Sequence, residues 1–344
     1  MDNTKNIPYS ILELATLPKY STPAQVYANS VELAQKAEAY GYKRFWLAEH
    51  HNMPSVMSNA SPILIGHIAQ ATSTLRIGSG GVMLPNHSPL IVAEQFGTLG
   101  TLFQNRIDLG LGRAPGTDQK TSQEIRQGHT LGAHSFPNDI EKIQRYFSVE
   151  NSSSSLRVPV AEGVDMPLYI LGSSTDSAYL AAEKGLPYAF ASHFSTSHFE
   201  EAIRIYREKF QPNDTLKKPY VLAAINVFVA DTDEEAERLY TSNLKFILGI
   251  LTGKIGEYVE EPSEMTDELR ALRSHPQVNQ LTKFTFIGSK KTVKDKIAGF
   301  ISENKVDEII TSSTFYNHSD RLTSILLFSE IMKELNASRL QLSI

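Results

Sequence analysis

The chain has 344 residues, 41% of them hydrophobic, with 33 basic and 38 acidic side chains and no cysteine. That composition supports a large buried core and excludes a disordered chain, disulfides, thiolate metal sites, iron–sulfur clusters and cysteine nucleophiles. A formal charge of −5, without long runs of either sign, argues against nucleic acid or an anionic membrane as partner and suits a protein that handles small molecules.

The first residues, from Met1 to Pro8, lack the apolar core of a signal peptide. No stretch approaches the roughly 20 apolar residues that span a bilayer. Together with the missing cysteine, this predicts a soluble protein of a reducing cytoplasm.

Short β-rich runs then alternate with amphipathic helical segments. The first strand is expected at Tyr9–Leu14. Thr22-Pro23, a hydroxyl cap followed by proline, starts a helix that runs to Ala39, and Gly41 ends it. The second strand, Arg44–Ala48, runs straight into Glu49-His50-His51. The third, Leu75–Leu84, contains Gly78, Gly80 and Gly81, and Ser88-Pro89 opens a helix through Leu102. The fourth, Arg106–Leu111, passes into Gly112-Arg113-Ala114-Pro115-Gly116. Ala114–Asp165 is too long for one helix and holds a short one, Asn138–Phe147, and a serine run, Ser152–Ser155.

The fifth strand, Pro167–Leu171, precedes Gly172-Ser173-Ser174-Thr175-Asp176-Ser177 and a helix through Lys184. The sixth and seventh are Tyr188–Ala191 and Val221–Val229. Asp231 is placed to cap a helix beginning Thr232-Asp233-Glu234-Glu235, whose acidic first turn complements the helix dipole. Asp231–Gly299 holds at least two helices and the turn-rich Glu260-Glu261-Pro262, and the eighth strand follows at Asp307–Thr311. Several strands are nearly continuous apolar runs, as parallel strands covered on both faces require. The pattern predicts an α/β fold: one (β/α)8 TIM barrel domain spanning residues 1–344, with insertions after strand 4 and between strands 7 and 8 that form lids over the active-site face. A doubly wound open sheet is the rival, and eight strand–helix alternations favour the barrel.

Catalytic groups in such barrels lie at the C-terminal ends of strands, which singles out four clusters. His50 or His51 can exchange a proton near neutral pH, or the two can be ordinary loop histidines. A metal hydrolase using Glu49, His50 and His51 is a further alternative, weakened because neighbours on an extended chain point to opposite sides. The glycines of the third strand imply either a flat group lying against the backbone or a bulge at a barrel corner. The planar donors of Arg113 suit a phosphate or carboxylate, or an ion pair with a nearby loop. Ser173, Ser174 and Ser177 open a helix, where hydroxyls and backbone amides bind an anion or simply cap. Pairing that segment with Arg113 favours phosphate. Met83 and Pro115 stand where a dinucleotide fingerprint needs its third glycine, so a phosphorylated cofactor smaller than a dinucleotide fits best.

The runs Phe45–His51, Leu75–His87, Ala93–Leu99 and Asn105–Gly116, in that order, resemble bacterial luciferase and its relatives. The resemblance extends from the first strand to Phe315–Arg321 and is most specific over the first four strands. It implies a (β/α)8 barrel that binds reduced FMN non-covalently and uses O2 as a monooxygenase. The substrate would be an unidentified small organic molecule, and a separate NAD(P)H-flavin reductase would supply the FMNH2; a homodimer is expected. The same resemblance implies that His50 is the active-site base and that a non-prolyl cis peptide joins Gly80 and Gly81 beside the flavin. It implies that Arg113 binds the phosphate together with the loop of Gly172, Ser173, Ser174 and Ser177. Gly112 stands where luciferase has a cysteine near the flavin, and Leu12 where it has a phenylalanine. Light emission and a long-chain aldehyde substrate therefore do not carry over. Two alternatives share the fold. An F420-dependent dehydrogenase would want basic residues around the mouth for that cofactor's acidic tail, and few lie near these motifs. A non-catalytic flavin-binding protein would keep Arg113 and the serine loop.

Overall fold

In the computed structural model, which describes residues 6–126, 134–254 and 256–341, all eight expected strands form. Among the described residues there are nine strands: β1 (Tyr9–Glu13), β2 (Arg44–Leu47), β3 (Arg76–Met83), β4 (Ile107–Gly112), β5 (Leu168–Gly172), β6 (Tyr188–Phe190), β7 (Val221–Ala230), β8 (Thr285–Ser289) and β9 (Glu308–Ser312). Strands β1 to β7 and β9 make a closed parallel ring, in which β6 pairs with β7 and β1 with β9. The fold is thus an α/β TIM barrel. Strand β8 is additional: it lies parallel to the last five residues of β7, beyond the point where β6 ends. Its five residues include Gly288 at φ 146°, and so short and interrupted a run carries no strand signature in sequence.

The helices are α1 (Pro23–Tyr40), α2 (Ser61–Gln70), α3 (Pro89–Leu102), α4 (Gln119–Arg126), α5 (Phe136–Phe147), α6 (Thr175–Glu183), α7 (Phe199–Lys209), α8 (Asp233–Leu251), α9 (Asp267–Ser274), α10 (Pro276–Leu281), α11 (Lys290–Asn304) and α12 (His318–Gln341). Helix α1 has the expected ends: Thr22 accepts from the Gln25 amide, and Gly41 closes it at φ 87°. The cap of α8 is Thr232 rather than Asp231, with the Glu235 amide donating to Oγ1 at 3.1 Å. No helix among the described residues is long and apolar enough to cross a membrane.

Alternation along each strand sorts the core into two layers. Phe45, Leu47, Ile77, Leu109, Ala223 and Ile309 face outward to the helices. Leu12, Trp46, Ala48, Tyr169, Leu222 and Ile310 fill the interior. An ionic layer closes the N-terminal floor of the barrel. Arg44 donates from Nη1 to Asp108 Oδ2 (2.6 Å) and Tyr169 Oη (2.8 Å), and from Nε to Glu308 Oε1 (2.7 Å). Trp46 Nε1 donates to Asp108 Oδ2 (3.0 Å), and Ser10 Oγ to Glu308 Oε1 (2.5 Å). These side chains fill the barrel at the N-terminal ends of the strands.

The two insertions behave differently. Residues 127–133 of the first lie outside the described residues, and its helix α5 joins the outer layer through Phe136, Ile140 and Ile143 rather than forming a lid. Part of the second does lie over the loops at the open end. The Val259 amide donates to Leu17 O (2.8 Å), Lys19 N donates to Val259 O (3.0 Å), and Tyr316 Oη donates to Glu261 Oε1 (3.0 Å).

Candidate active site

Along β2 the residues Arg44, Trp46 and Ala48 point inward, so His50 is next in the inward series, while Glu49 and His51 follow Phe45 and Leu47 outward. His50 sits half-buried at the rim with its backbone carbonyl accepting from Asn59 Nδ2 (2.7 Å). Its Nδ1 is buried without a hydrogen-bond partner. Burial holds the His50 imidazole below its ordinary proton affinity, against the opposing pull of Glu49. It is therefore neutral at pH 7 and able to accept a proton.

Glu49 is almost completely buried. His51 Nε2 and His87 Nε2 lie 2.9 and 2.7 Å from its Oε1, and the Met83 amide donates to Oε2 at 3.2 Å. Burial pushes the carboxyl up, but these donors outweigh it and hold it at about 2. The three ligand atoms of Glu49, His51 and His87 lie within 4.8 Å of one another. His50 stands apart from that group, contrary to the metal-hydrolase grouping of Glu49, His50 and His51. His87 enters it instead, from the turn after β3. The loop after β2 is also tied to the loop after β4, where the Gly116 carbonyl accepts from the His51 amide at 3.1 Å.

The glycines of β3 and β4 have a packing reason. A Cβ on Gly78 would lie 2.4 Å from Asp108 O, one on Gly110 2.2 Å from Ser79 O, and one on Gly81 2.7 Å from Gly110 O. The two backbones approach too closely for any side chain. Between Ser79 and Val82 the register shifts as in a bulge, and the Gly80–Gly81 peptide is cis. A Cβ on Gly112 would press on the flexible end of Met83 (2.9 Å) and meet Val82 O at an ordinary 3.7 Å.

Arg113 leaves β4 toward the start of α6, where its Nη2 lies 3.2 Å from Asp176 Oδ2. Ser174 is the N-cap of α6, yet its hydroxyl makes no capping bond. The first-turn amides of this nine-residue helix and a half-exposed guanidinium thus face one spot. Ser177 is used differently: its buried hydroxyl donates to Ser174 O (2.6 Å) and meets Tyr188 Oη (2.8 Å). A Cβ on Gly172 would lie 1.9 Å from that hydroxyl. Gly172 and Ser177 therefore shape the loop from behind, while Ser173 carries its carbonyl to Ser195 Oγ (3.0 Å).

Two residues at the mouth escaped the sequence reading. Asn226 on β7 is buried and donates from Nδ2 to His193 O (2.8 Å). His193 follows β6 and has a buried, unpartnered Nδ1. Counting on by twos from the inward-facing Ala189 reaches it, and that was the signal available.

The family model described as luciferase-like monooxygenase matches residues 8–307. A protein of Escherichia coli strain K12 named luciferase-like monooxygenase is 40% identical over 331 residues, covering 96% of this chain and 98% of its own. The N-acetyl-S-alkylcysteine monooxygenase of Bacillus subtilis is 30% identical over 334 residues, 94% of this chain and 98% of its own. Among solved structures, that of apo-MsnO8 superposes with a TM-score of 0.86 at 31% identity, over 95% of this chain and 99% of the other.

Proposed function

The chain belongs to the luciferase-like monooxygenase family, and from that premise we propose that it is the oxygenase of a two-component system, using FMNH2 and O2 to oxidise a small organic substrate. The observation that carries this is the convergence, at the open end of one barrel, of an anion site and an imidazole with an unspent nitrogen. Arg113, the first-turn amides of α6 and the hydroxyls of Ser173 and Ser174 fit the phosphate of FMN. His50 is the proton acceptor at the rim. The glycines Gly80, Gly81 and Gly112 add no side chain of their own to the β3–β4 side of the mouth, where Leu12, Trp46, Leu171 and Met83 already pack against them. When bound, reduced flavin supplies the electrons and reacts with oxygen. The chain holds it, orients it, takes up or returns a proton at His50, and excludes water below it through the filled barrel floor.

Neither glycine cluster reads as a dinucleotide site, so reducing power comes from a separate NAD(P)H-flavin reductase. The exposed Ile63 on α2 and Ile91 on α3 offer apolar surface for a homodimer, and a reducing cytoplasm suits the cysteine-free composition. The substrate named for the Bacillus relative, an N-acetyl-S-alkylcysteine thioether, is the first class to assay.

The phosphate site is tested by comparing FMN with riboflavin, which lacks the phosphate. Arg113→Ala should weaken FMN binding by about 1.5–3 kcal/mol, the range for hydrogen bonds to a charged group, and leave riboflavin nearly unaffected. Equal losses for both flavins in a fluorescence titration would remove Arg113 from the phosphate site.

A further inference from the structure

Strands β2 and β6 stand opposite each other in the ring, with three strands between them by either route. His50 leaves the end of β2 and His193 follows β6 by three residues, so the two histidines rise from opposite walls of one mouth. The loop bearing His193 is fixed on both sides. Ser192 Oγ donates to Ala224 O (2.6 Å), Asn226 Nδ2 donates to the His193 carbonyl (2.8 Å), and Ser195 N donates to Ala191 O (3.0 Å). The Phe194 ring stands edge-on to the imidazole, with centroids 4.7 Å apart. Held in this way, His193 buries its Nδ1 without a partner, as His50 does. Each nitrogen is covered by the protein's own atoms. A buried nitrogen left unbonded is costly, so the loops after β2 and β6 gain by turning both toward a ligand that exchanges a hydrogen bond with each.

We propose that His193 is a second flavin-contacting residue, which together with His50 grips the uncharged amide and carbonyl edge of the flavin ring across the mouth. The inference rests on the flavin reading above. The chemistry of the pair selects that edge. Burial, and then the nearby His50, keep the His193 imidazole well on the neutral side, at about 3. Two neutral imidazoles suit a neutral donor–acceptor group, whereas the anionic phosphate has Arg113 and the α6 amides on the β4–β5 side.

The test uses ring-15N-labelled histidine in the full chain, titrated with FMN and separately with riboflavin, with the two resonances assigned by their loss in His50→Gln and His193→Gln. Both rings should shift on adding either flavin, because the contact is to the ring and not to the phosphate. In His193→Phe, which keeps a planar ring without nitrogens, both flavins should bind about 3- to 10-fold more weakly, the loss of one hydrogen bond. His193→Gln, which restores a donor and an acceptor, should recover part of that loss. Unchanged far-UV circular dichroism and thermal melting would show that the variants fold. If flavin binds the parent but the His193 resonance does not move, or His193→Phe binds both flavins as tightly as the parent, the proposal is overturned and the flavin reading stands. If neither flavin binds the parent, the flavin reading fails and this proposal falls with it.

Discussion

Glu49 shows how a single carboxylate can be made to stay charged inside a protein. Its burial alone would favour the protonated form, and it is the donors from His51, His87 and the Met83 amide that hold it at about 2. The linkage follows from the sign of that shift. A carboxyl depressed in the folded state contributes stability above its unfolded value of about 4.5, and the contribution is lost as pH falls toward the folded value. The depression corresponds to roughly 3 kcal/mol, at about 1.4 kcal/mol for each unit. Glu49→Gln should therefore be less stable than the parent at pH 7, with the gap narrowing between pH 5 and 3 in urea-unfolding series. A gap that stays constant over that range would show that the donors do not hold Glu49 charged. At this scale the sequence was legible wherever a residue follows directly on a strong strand. The positions of His50 and Arg113 just past β2 and β4 could be read because those strands are unmistakable. His193 was missed because β6 has only three residues and its loop offers no motif, and His87 because its role depends on folding back to Glu49.

Between elements, β3 and β4 constrain each other backbone against backbone. Ser79 Oγ donates to Gly110 O (2.9 Å) and accepts from Gly110 N (3.0 Å), so one side chain bridges both backbones. A Cβ on Gly110 would also lie 2.6 Å from Leu171 Cδ1. Gly110→Ala should cost at least about 3 kcal/mol, the upper end of the usual overpacking range, because the obstacle is backbone. Gly112→Ala displaces only the end of Met83 and should cost less than about 1.5 kcal/mol. Thermal melting of the two variants checks the order, and equal losses would contradict the packing account. From sequence, a ligand and a bulge were both admissible explanations for these glycines, and no local signal separates them. Which backbone lies beside Gly110 is a fact of tertiary structure. The same holds for β8: its pairing depends on the extra length of β7, and its own five residues carry too little pattern to announce it. The other strands and helices could be read because apolar runs and caps are local.

Taken whole, the barrel concentrates charge at its floor and leaves polar, unpaired nitrogens at its mouth. Removing Arg44 should be costly because Asp108 and Glu308 are fully buried. Arg44→Met should destabilise by about 3–5 kcal/mol, the range for breaking a buried pair. The lower end is expected, since Asp108 keeps Arg76 at 2.6 Å and Glu308 keeps Lys43 at 3.3 Å. Adding Asp108→Asn and Glu308→Gln should recover much of the loss, and chemical denaturation of the single and triple variants measures it. The same floor bears on how the molecule is made. Ser10 and Glu308 meet across 298 residues of chain, and β1 can pair with β9 only when that last strand exists. At ~5–20 residues per second on the ribosome, β1 waits about 15–60 s with one edge bare. Nascent chains stalled with β9 still inside the exit tunnel should be cut readily by protease near β1. Chains stalled after α12 has emerged should resist it.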